Sequence, residues 1–343
     1  MNTRAFITGV SGPELTHAER EFIRSKRPWG FILFKRNIEA PKQVIRLVNE
    51  LRKELARPDA PVLIDQEGGR VQRLGPPHWP VYPAGAVFGR LYDIDPALGL
   101  KAARLSARLI AADLGDLGVS VDCLPLADVP VAGADAVIGD RAYGTEPDKV
   151  AAIARAVAEG LEQGGVLPVL KHIPGHGRAT ADTHFRLPEV DTAKVELERT
   201  DFAAFQRLAD LPMAMTAHVV FSALDPAHPA TTSATIIHQV IRGVIGFQGL
   251  LMSDDVSMNA LAGSIAERTR AILAAGCDMA LHCNGKLDEM REVARETTEL
   301  SGTALERARR ALASRKAPQV FDRRKARVEL DALMDRAGTA AGA

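Results

Sequence analysis

The chain has 343 residues, of which 46% are hydrophobic and 25% are charged, and this is the composition of an ordinary globular protein. Basic and acidic residues balance at 43 each, so no basic excess indicates nucleic acid binding and no acidic excess indicates disorder. No segment approaches the ~20 apolar residues that span a bilayer. We therefore expect a small-molecule partner, and neither nucleic acid nor membrane.

The cysteines and the first residues bear on cellular location. Cys123, Cys277 and Cys283 form no CxxC pair and are too few and too scattered for a disulfide framework. The opening residues, MNTRAFITGV, lack the long apolar segment and the cleavage site of a secretory peptide. Both observations predict a reducing, cytoplasmic location.

The first third of the chain alternates apolar runs with amphipathic segments. Apolar runs predict buried strands at residues 5–9, 30–34 and 61–65. Thr16 and Glu19 have the spacing of a helix capping box between the first two runs. Residues 40–56 place apolar side chains on one stripe at spacings of three and four, which predicts a second helix.

The same alternation continues to about residue 300. A helix opens at Pro96 and closes toward glycine, which is the usual asymmetry of helix ends. Further strands are predicted at residues 119–123, 166–172, 213–219, 249–254 and 278–283. Further helices are predicted at residues 147–163, 193–209, 234–245, 265–275 and 285–300. From about residue 318 onward we expect a closing helix or a loose tail, without a second domain.

Eight strands alternating with helices predict parallel pairing, and eight is the number that closes an α/β barrel of the (β/α)8, or TIM, type. The alternative is an open, doubly wound sheet with its ligand at a switch point. Polar residues at strand ends favour the barrel, because its strand ends converge on one face. The polar residues at these ends are Asp65, Lys171, His172, His218, Asp254 and His282. We predict a single barrel domain over residues 1–343.

Residues 171–184, KHIPGHGRATADTH, crowd titratable side chains onto a backbone that Pro174 and two glycines make irregular. A zinc site would use His172 and His176, but the intervening proline removes the helical spacing and no HExxH motif is present. A nucleotide site would need a glycine pattern that this loop lacks. We therefore expect neither a metal nor another cofactor.

Acid–base chemistry is the third interpretation of this loop. Asp182 and His184 are two residues apart and lie on one side of an extended segment, where a carboxylate orients an imidazole and stabilises its protonated form. The alternative is structural: Asp182 caps a turn and His184 lies on the surface.

Two further strand ends carry carboxylates. Asp254 ends an apolar strand, where it is placed to act as a nucleophile, while Asp255 is predicted to cap a helix that starts near Val256. Asp65 ends another strand, and a glycine pair and arginines follow it. Glu67 and these arginines form a solvated ion-pair cluster in one interpretation, whereas in the other Asp65 and Arg73 hold the hydroxyls of a polar ligand.

Four motifs taken together resemble a known family. IDQEGGRVQRL, GDRAYGTEP, KHIPGHGRATADTH and GLLMSDDVSM are similar, in content and order, to motifs of the bacterial β-N-acetylglucosaminidases of glycoside hydrolase family 3. More narrowly, the chain resembles the single-domain, cytoplasmic members that recycle cell-wall muropeptides. The resemblance covers about residues 5–300.

The resemblance implies a role for each motif. It implies that Asp254 is the nucleophile and that His184, oriented by Asp182, is the general acid/base. It also implies that sugar hydroxyls and the acetamido group are held by Asp65, Arg73, Arg141, Lys171 and His172. The expected partner is a carbohydrate, a muropeptide or other N-acetylglucosaminide, and the enzyme is expected to be a monomer without cofactor.

The implied reaction is hydrolysis of a terminal β-linked N-acetylglucosamine with retention, through a covalent glycosyl-aspartate. The ordinary pKa of histidine, about 6.5, suits acid–base work near neutral pH. Because Gly175 and Gly177 permit large backbone changes, we expect residues 174–184 to close over the substrate. The alternatives are a phosphorylase of the same family, a β-glucosidase, and a sugar-binding protein on an inactive barrel.

Overall fold

Eight parallel strands close into a barrel in the computed structural model, which describes residues 3–179, 181, 183 and 186–340. The strands are β1 (Arg4–Thr8), β2 (Pro28–Leu33), β3 (Val62–Ile64), β4 (Val121–Asp122), β5 (Leu167–Ile173), β6 (Met213–Thr216), β7 (Leu250–Asp255) and β8 (Met279–His282). Each pairs with its neighbours in sequence, and β8 pairs with β1 through Ala280 and Phe6. The predicted barrel is confirmed, and its closure excludes the open sheet.

The strands are apolar on both faces because both faces are covered. Ile7 belongs to the cluster that fills the barrel interior, whereas the adjacent Phe6 belongs to the larger core between strands and helices. Side chains of neighbouring strand residues point to opposite faces, so one apolar run serves both cores. Every residue of β2, β5 and β6 is buried.

The helices surround the barrel. They are α1 (His17–Lys26), α2 (Pro41–Glu54), α3 (Gly85–Ile94), α4 (Pro96–Asp116), α5 (Pro147–Gln163), α6 (Lys194–Arg199), α7 (Asp201–Gln206), α8 (Ile265–Ala275), α9 (Leu287–Glu296), α10 (Gly302–Ala313) and α11 (Arg323–Ala340). The capping box of Thr16 and Glu19 is present at α1. The predicted bounds of α5 and α8 agree with the structure.

Two predicted helices have different forms in the structure. The segment 193–209 is divided between α6 and α7, and the division lies where the side chain of Asp201 accepts hydrogen bonds from Arg178 and Thr200. The segment 234–245 forms a π-helix at Ile236–Val244. In the first segment, the contacts of Asp201 override the local periodicity from which a single helix was predicted.

The predicted helix cap at Asp255 is wrong. β7 continues through Asp255, and the next helix, α8, begins only at Ile265, behind its own cap, Ser264. The Asp255 carboxylate instead accepts hydrogen bonds from the backbone N–H and hydroxyl of Ser257, at 3.0 and 2.6 Å, and from the N–H of Cys283, at 3.0 Å. It therefore stabilises a turn and ties that turn to the end of β8.

Helix α11 covers most of the stretch beyond residue 318. Its residues Ala326, Leu330 and Leu333 are buried, and the helix packs against α4 and α3. Arg327 of α11 stacks on the ring of Tyr82, with 4.8 Å between the guanidinium carbon and the ring centroid. The C-terminal segment thus reaches the side of the barrel that carries the loops after β3.

All three cysteines are buried and unpaired. Burial raises the pKa of each thiol above its ordinary value. None of the helices in the described part of the chain combines the length and the apolar character that crossing a bilayer requires.

Candidate active site

A cavity of about 330 Å³ lies at the carboxyl ends of the barrel strands. It brings together six of the eight residues that the sequence predicted, which are Asp65, Arg73, Arg141, Lys171, His172 and Asp254. They come from the loops after β3 and β4 and from the ends of β5 and β7. Closure of the barrel explains this convergence, because residues far apart in sequence share one rim.

The predicted acid–base pair, Asp182 and His184, lies outside the described residues. Thr183, between them, is described: it lines the same cavity, and its carbonyl accepts a hydrogen bond from the N–H of Ala260 at 3.1 Å. The loop that carries the pair therefore borders the cavity that Asp254 also lines.

A short hairpin presents the first group of site residues. Gln66–Gly68 pairs antiparallel with Val71–Gln72 directly after β3. Gly68 has φ +94°, and a Cβ there would lie 2.3 Å from the carbonyl oxygen of Pro83. Only glycine fits both conditions, which explains why a glycine pair follows the strand.

Three cations and two carboxylates form one buried network at this hairpin. Lys171 Nζ lies 3.0 Å from Asp65 and 2.6 Å from Glu67. Arg73 pairs with Asp65 at 2.9 Å. Arg141 donates hydrogen bonds from Nε and Nη2 to the two carboxylate oxygens of Glu67, at 2.9 and 2.8 Å. The network carries one net positive charge and provides fixed donors and acceptors, which is what recognition of a polyhydroxy ligand requires.

Burial alone would raise the pKa values of Asp65 and Glu67, but Lys171 and the arginines outweigh it. The pKa of Glu67 falls to about 2, and that of Asp65 also lies below its ordinary value. Burial would lower the pKa of Lys171, yet the two carboxylates raise it above its ordinary value. All three groups are therefore charged at neutral pH.

Glu67 is a site residue that the sequence analysis did not assign. The interpretation of a solvated cluster is wrong for it, since its side chain is only 4% exposed. The signal was available in its position, two residues after Asp65 and next to the glycine pair. The sequence does not reveal that Glu67 is close in space to Lys171 and Arg141, because both lie far from it along the chain.

His172 is held by a second buried carboxylate, Asp128. His172 Nδ1 lies 2.8 Å from Asp128 Oδ2. Burial would raise the pKa of Asp128, but His172 and His176 outweigh it, so that the pKa lies below its ordinary value. Asp128 belongs to no motif identified in the sequence, and no local signal marked it.

Asp254 sits where β7 reaches the cavity. Its Oδ1 accepts a hydrogen bond from the N–H of Asp255 at 2.8 Å. Burial would raise the pKa of Asp254, but His218 and His172 outweigh it and keep the pKa below its ordinary value. The carboxylate is therefore ionised at neutral pH, which is the state that a nucleophile requires.

Two further buried histidines, His218 and His176, interact electrostatically with this carboxylate. His218 Nε2 donates a hydrogen bond to the carbonyl of Asp255 at 3.0 Å, and burial lowers its pKa. His176 is buried at the cavity wall with its ring edge-to-face to that of His172, 5.6 Å between centroids. Burial, with His172 beside it, lowers the pKa of His176 to about 4.

No three histidine, cysteine or acidic side chains converge in a geometry suited to a metal ion within residues 3–179, 181, 183 and 186–340. The cavity holds an ionised carboxylate, Asp254, beside a charged, hydrogen-bonding network.

Comparison with known proteins gives a consistent result. The sequence model of the glycosyl hydrolase family 3 N-terminal domain matches residues 6–314. A β-hexosaminidase of Alkalilimnicola ehrlichii is 40% identical over 282 residues, covering 81% of this chain and 80% of the relative. A β-hexosaminidase of Bordetella avium is 34% identical over 316 residues, covering 91% and 89%.

Solved structures similar to this chain include members of the same family. NagZ from Neisseria gonorrhoeae, in complex with N-trifluoroacetyl-D-glucosamine, superposes with a TM-score of 0.88 at 31% identity, covering 97% of this chain and 99% of that one. A family 3 β-N-acetylglucosaminidase from Paenibacillus superposes with a TM-score of 0.84 at 28% identity, covering 97% and 66%.

Proposed function

The chain belongs to the glycosyl hydrolase family 3 N-terminal-domain family and is a glycoside hydrolase of the β-hexosaminidase kind, and from this premise we propose its substrate and mechanism. The proposed substrate is a peptidoglycan-derived muropeptide, from which the enzyme removes a non-reducing terminal β-linked N-acetylglucosamine. The proposed mechanism is retaining, with Asp254 as nucleophile and His184 with Asp182 as the acid–base pair.

The first step joins Asp254 to the sugar. The carboxylate attacks the anomeric carbon, the glycosidic C–O bond breaks, and His184 gives its proton to the leaving oxygen. In the second step His184 takes a proton from water, which attacks the same carbon and releases Asp254. The lowered pKa of Asp254 supports its part, because an ionised carboxylate is ready to attack.

The remaining predicted residues are proposed to hold the sugar. All five line one cavity: they are Asp65, Arg73, Arg141, Lys171 and His172. Their charged hydrogen-bonding groups are strong and directional. The observation that carries the proposal is that this network, Asp254 and the loop of the acid–base pair share one cavity of sugar size.

We also propose a cytoplasmic, monomeric enzyme without cofactor. The three buried, unpaired cysteines support a reducing compartment.

Substitution of Asp254 tests the mechanism. We expect Asp254→Ala to lower kcat/KM for a nitrophenyl N-acetylglucosaminide by at least about 10⁴-fold, since loss of a single catalytic residue costs on the order of 10⁴-fold to 10⁶-fold in kcat. Asp210→Ala is the matched control, since Asp210 is an exposed partner of Arg155 away from the cavity. Unchanged turnover in Asp254→Ala would remove this residue from the mechanism.

Product analysis separates the alternatives. A muropeptide disaccharide is incubated with the enzyme in phosphate buffer, and the products are identified by mass and anomeric configuration. Free N-acetylglucosamine, released first as the β-anomer, supports retaining hydrolysis, whereas sugar 1-phosphate would indicate a phosphorylase. Faster turnover of the corresponding glucoside would indicate a β-glucosidase.

A further inference from the structure

Asp128 is a fully buried carboxylate close to the cavity, with no exposed side-chain surface. Both of its oxygens are engaged. Oδ1 accepts hydrogen bonds from two backbone N–H groups, that of His172 at 3.2 Å and that of His176 at 2.7 Å. Oδ2 lies 2.8 Å from His172 Nδ1.

This set of contacts determines where His172 carries its proton. An ionised carboxylate has no hydrogen to donate, so the hydrogen bond to Oδ2 requires a proton on His172 Nδ1. The other ring nitrogen, Nε2, is then the atom left to the cavity that His172 lines. A buried carboxylate that selects a tautomer also holds the ring in one orientation.

The contacts to backbone bear on the neighbouring loop. The N–H of His176 belongs to the segment that leads to residues 181 and 183, and Asp128 joins it to the end of β5. Gly177 lies so close to Val129 that a Cβ there would be 2.2 Å from its carbonyl. The segment after β4 and the start of the loop are thus held in contact at two adjacent points.

We propose that Asp128 is a positioning residue for the hydrolase: it keeps the proton of His172 on Nδ1 and anchors the start of the loop after β5. It acts through these two groups and does not itself line the cavity. The inference rests on the proposed function only in so far as His172 holds the sugar.

Asp128→Asn separates the two roles. The amide oxygen replaces Oδ1 and keeps both backbone hydrogen bonds, while the NH₂ group replaces Oδ2 and faces His172 Nδ1. A donor in that position requires an unprotonated Nδ1, so the proton moves to Nε2. The flipped amide would lose two hydrogen bonds to save one and is disfavoured.

The experiment measures tautomer, activity and stability on the full chain. Long-range ¹H–¹⁵N NMR of the imidazoles is expected to show a proton on His172 Nδ1 in the wild type and none there in Asp128→Asn. We expect kcat/KM for the nitrophenyl N-acetylglucosaminide to fall about tenfold to a hundredfold, the effect of one or two impaired hydrogen bonds. The unfolding temperature should stay near that of the wild type.

Asp113→Asn is the matched control. Asp113 also accepts a hydrogen bond, from the Tyr82 hydroxyl at 2.6 Å, but lies outside the cavity, so its amide variant should keep wild-type kcat/KM. A wild-type His172 protonated only at Nε2, or unchanged kcat/KM in Asp128→Asn, would overturn the inference. The NMR measurement needs no turnover, so a wild type inactive on the glucosaminide would contradict the proposed function alone.

Discussion

Glu67 shows at the scale of one residue how the site depends on charge balance. It holds Lys171 and Arg141 together, and with Asp65 it supplies the negative charge that three cations need in a buried place. Removing one partner from such a network leaves the others desolvated and uncompensated, which costs more than the pair contributes when complete.

We therefore expect Glu67→Gln to be destabilising and to weaken substrate binding. The loss should be about 3 kcal/mol in the free energy of unfolding, as for a broken buried ion pair. KM for the glucosaminide should rise about tenfold, because Arg141 and Lys171 lose their fixed positions.

Glu50→Gln provides the comparison for that experiment. Glu50 pairs with Arg20 where both side chains are about one-third exposed, at 31% and 30%. Its loss should cost less than about 1 kcal/mol and leave KM unchanged. Urea unfolding and initial rates measure both variants, and equal effects in the two would contradict the role assigned to Glu67.

His176 predicts a pH dependence of stability. Its pKa is about 4 in the folded protein, whereas an unfolded histidine has about 6.5. Between these values the unfolded chain binds the extra proton, so the contribution of neutral His176 is present above about pH 6.5 and is lost as the pH falls toward 4, by about 3 kcal/mol in all.

Urea unfolding across this pH range checks the prediction. His176→Gln should show a shallower loss of stability on acidification than the wild type. His17→Gln, which changes a histidine whose side chain is 85% exposed, should follow the wild-type curve. Parallel curves for all three proteins would show that His176 does not contribute to the slope.

Some residues of the site could be predicted from the sequence, and others could not. Asp65, Lys171 and Asp254 were recognisable because each ends an apolar strand, and strand ends converge in a barrel. Glu67 and Asp128 were not, because their function lies in contacts with residues 74 and 44 positions away. Spacing along the chain carries no information about such contacts until the fold is known.

At the scale of elements, the hairpin after β3 is the feature that the sequence indicated only in part. The glycine pair predicted a tight turn, and the structure adds that the hairpin rests on the segment 82–84. Gly69 donates a backbone hydrogen bond to the carbonyl of Tyr82 at 2.9 Å. The close approach of Gly68 to Pro83 leaves no space for a side chain.

Gly68→Ala should therefore displace the hairpin. We expect a loss of at least about 1 kcal/mol from the positive φ alone, and a lower kcat/KM because Glu67 and Arg73 move with the backbone. Gly115→Ala is the control: it lies in α4 with nothing within 4 Å of its Cβ position. That variant should gain up to about 1 kcal/mol and keep full activity.

The predicted strands of the barrel are all present, since apolar runs between helices report burial on both faces. Helix boundaries were less accurate where side chains interrupt the backbone pattern, as Asp201 does between α6 and α7. Such interruptions come from partners in other elements, here Arg178 from the loop after β5.

At the scale of the whole molecule, α11 extends the fold beyond the region that the family model matches. Its buried face lies on α4 and α3, and Arg327 reaches Tyr82, whose hydroxyl bonds to Asp113. Tyr82 in turn contacts the hairpin of the site, so the C-terminal helix is connected to the cavity through one aromatic residue.

Two substitutions in α11 separate its packing from its exposed surface. Leu330→Ala removes a side chain that is 1% exposed, and we expect a loss of about 2–4 kcal/mol with kcat at 25 °C little changed. Val328→Ala changes a side chain that is 65% exposed and should cost less than about 0.5 kcal/mol. Thermal unfolding measures the stability of both variants. Equal losses of stability in the two would argue against packing of this helix on α4.

Because all three thiols are buried, the rate at which each native cysteine is alkylated should report how accessible its position is. Both Cys123 and Cys283 belong to the interior cluster of the barrel, but Cys283 also lines the cavity and is 8% exposed, whereas Cys123 is 0% exposed. Alkylation of Cys283 should slow when a sugar occupies the cavity, while alkylation of Cys123 should await opening of the barrel itself. Mass spectrometry of alkylated enzyme would then follow ligand occupancy and global opening in one sample, without an introduced label.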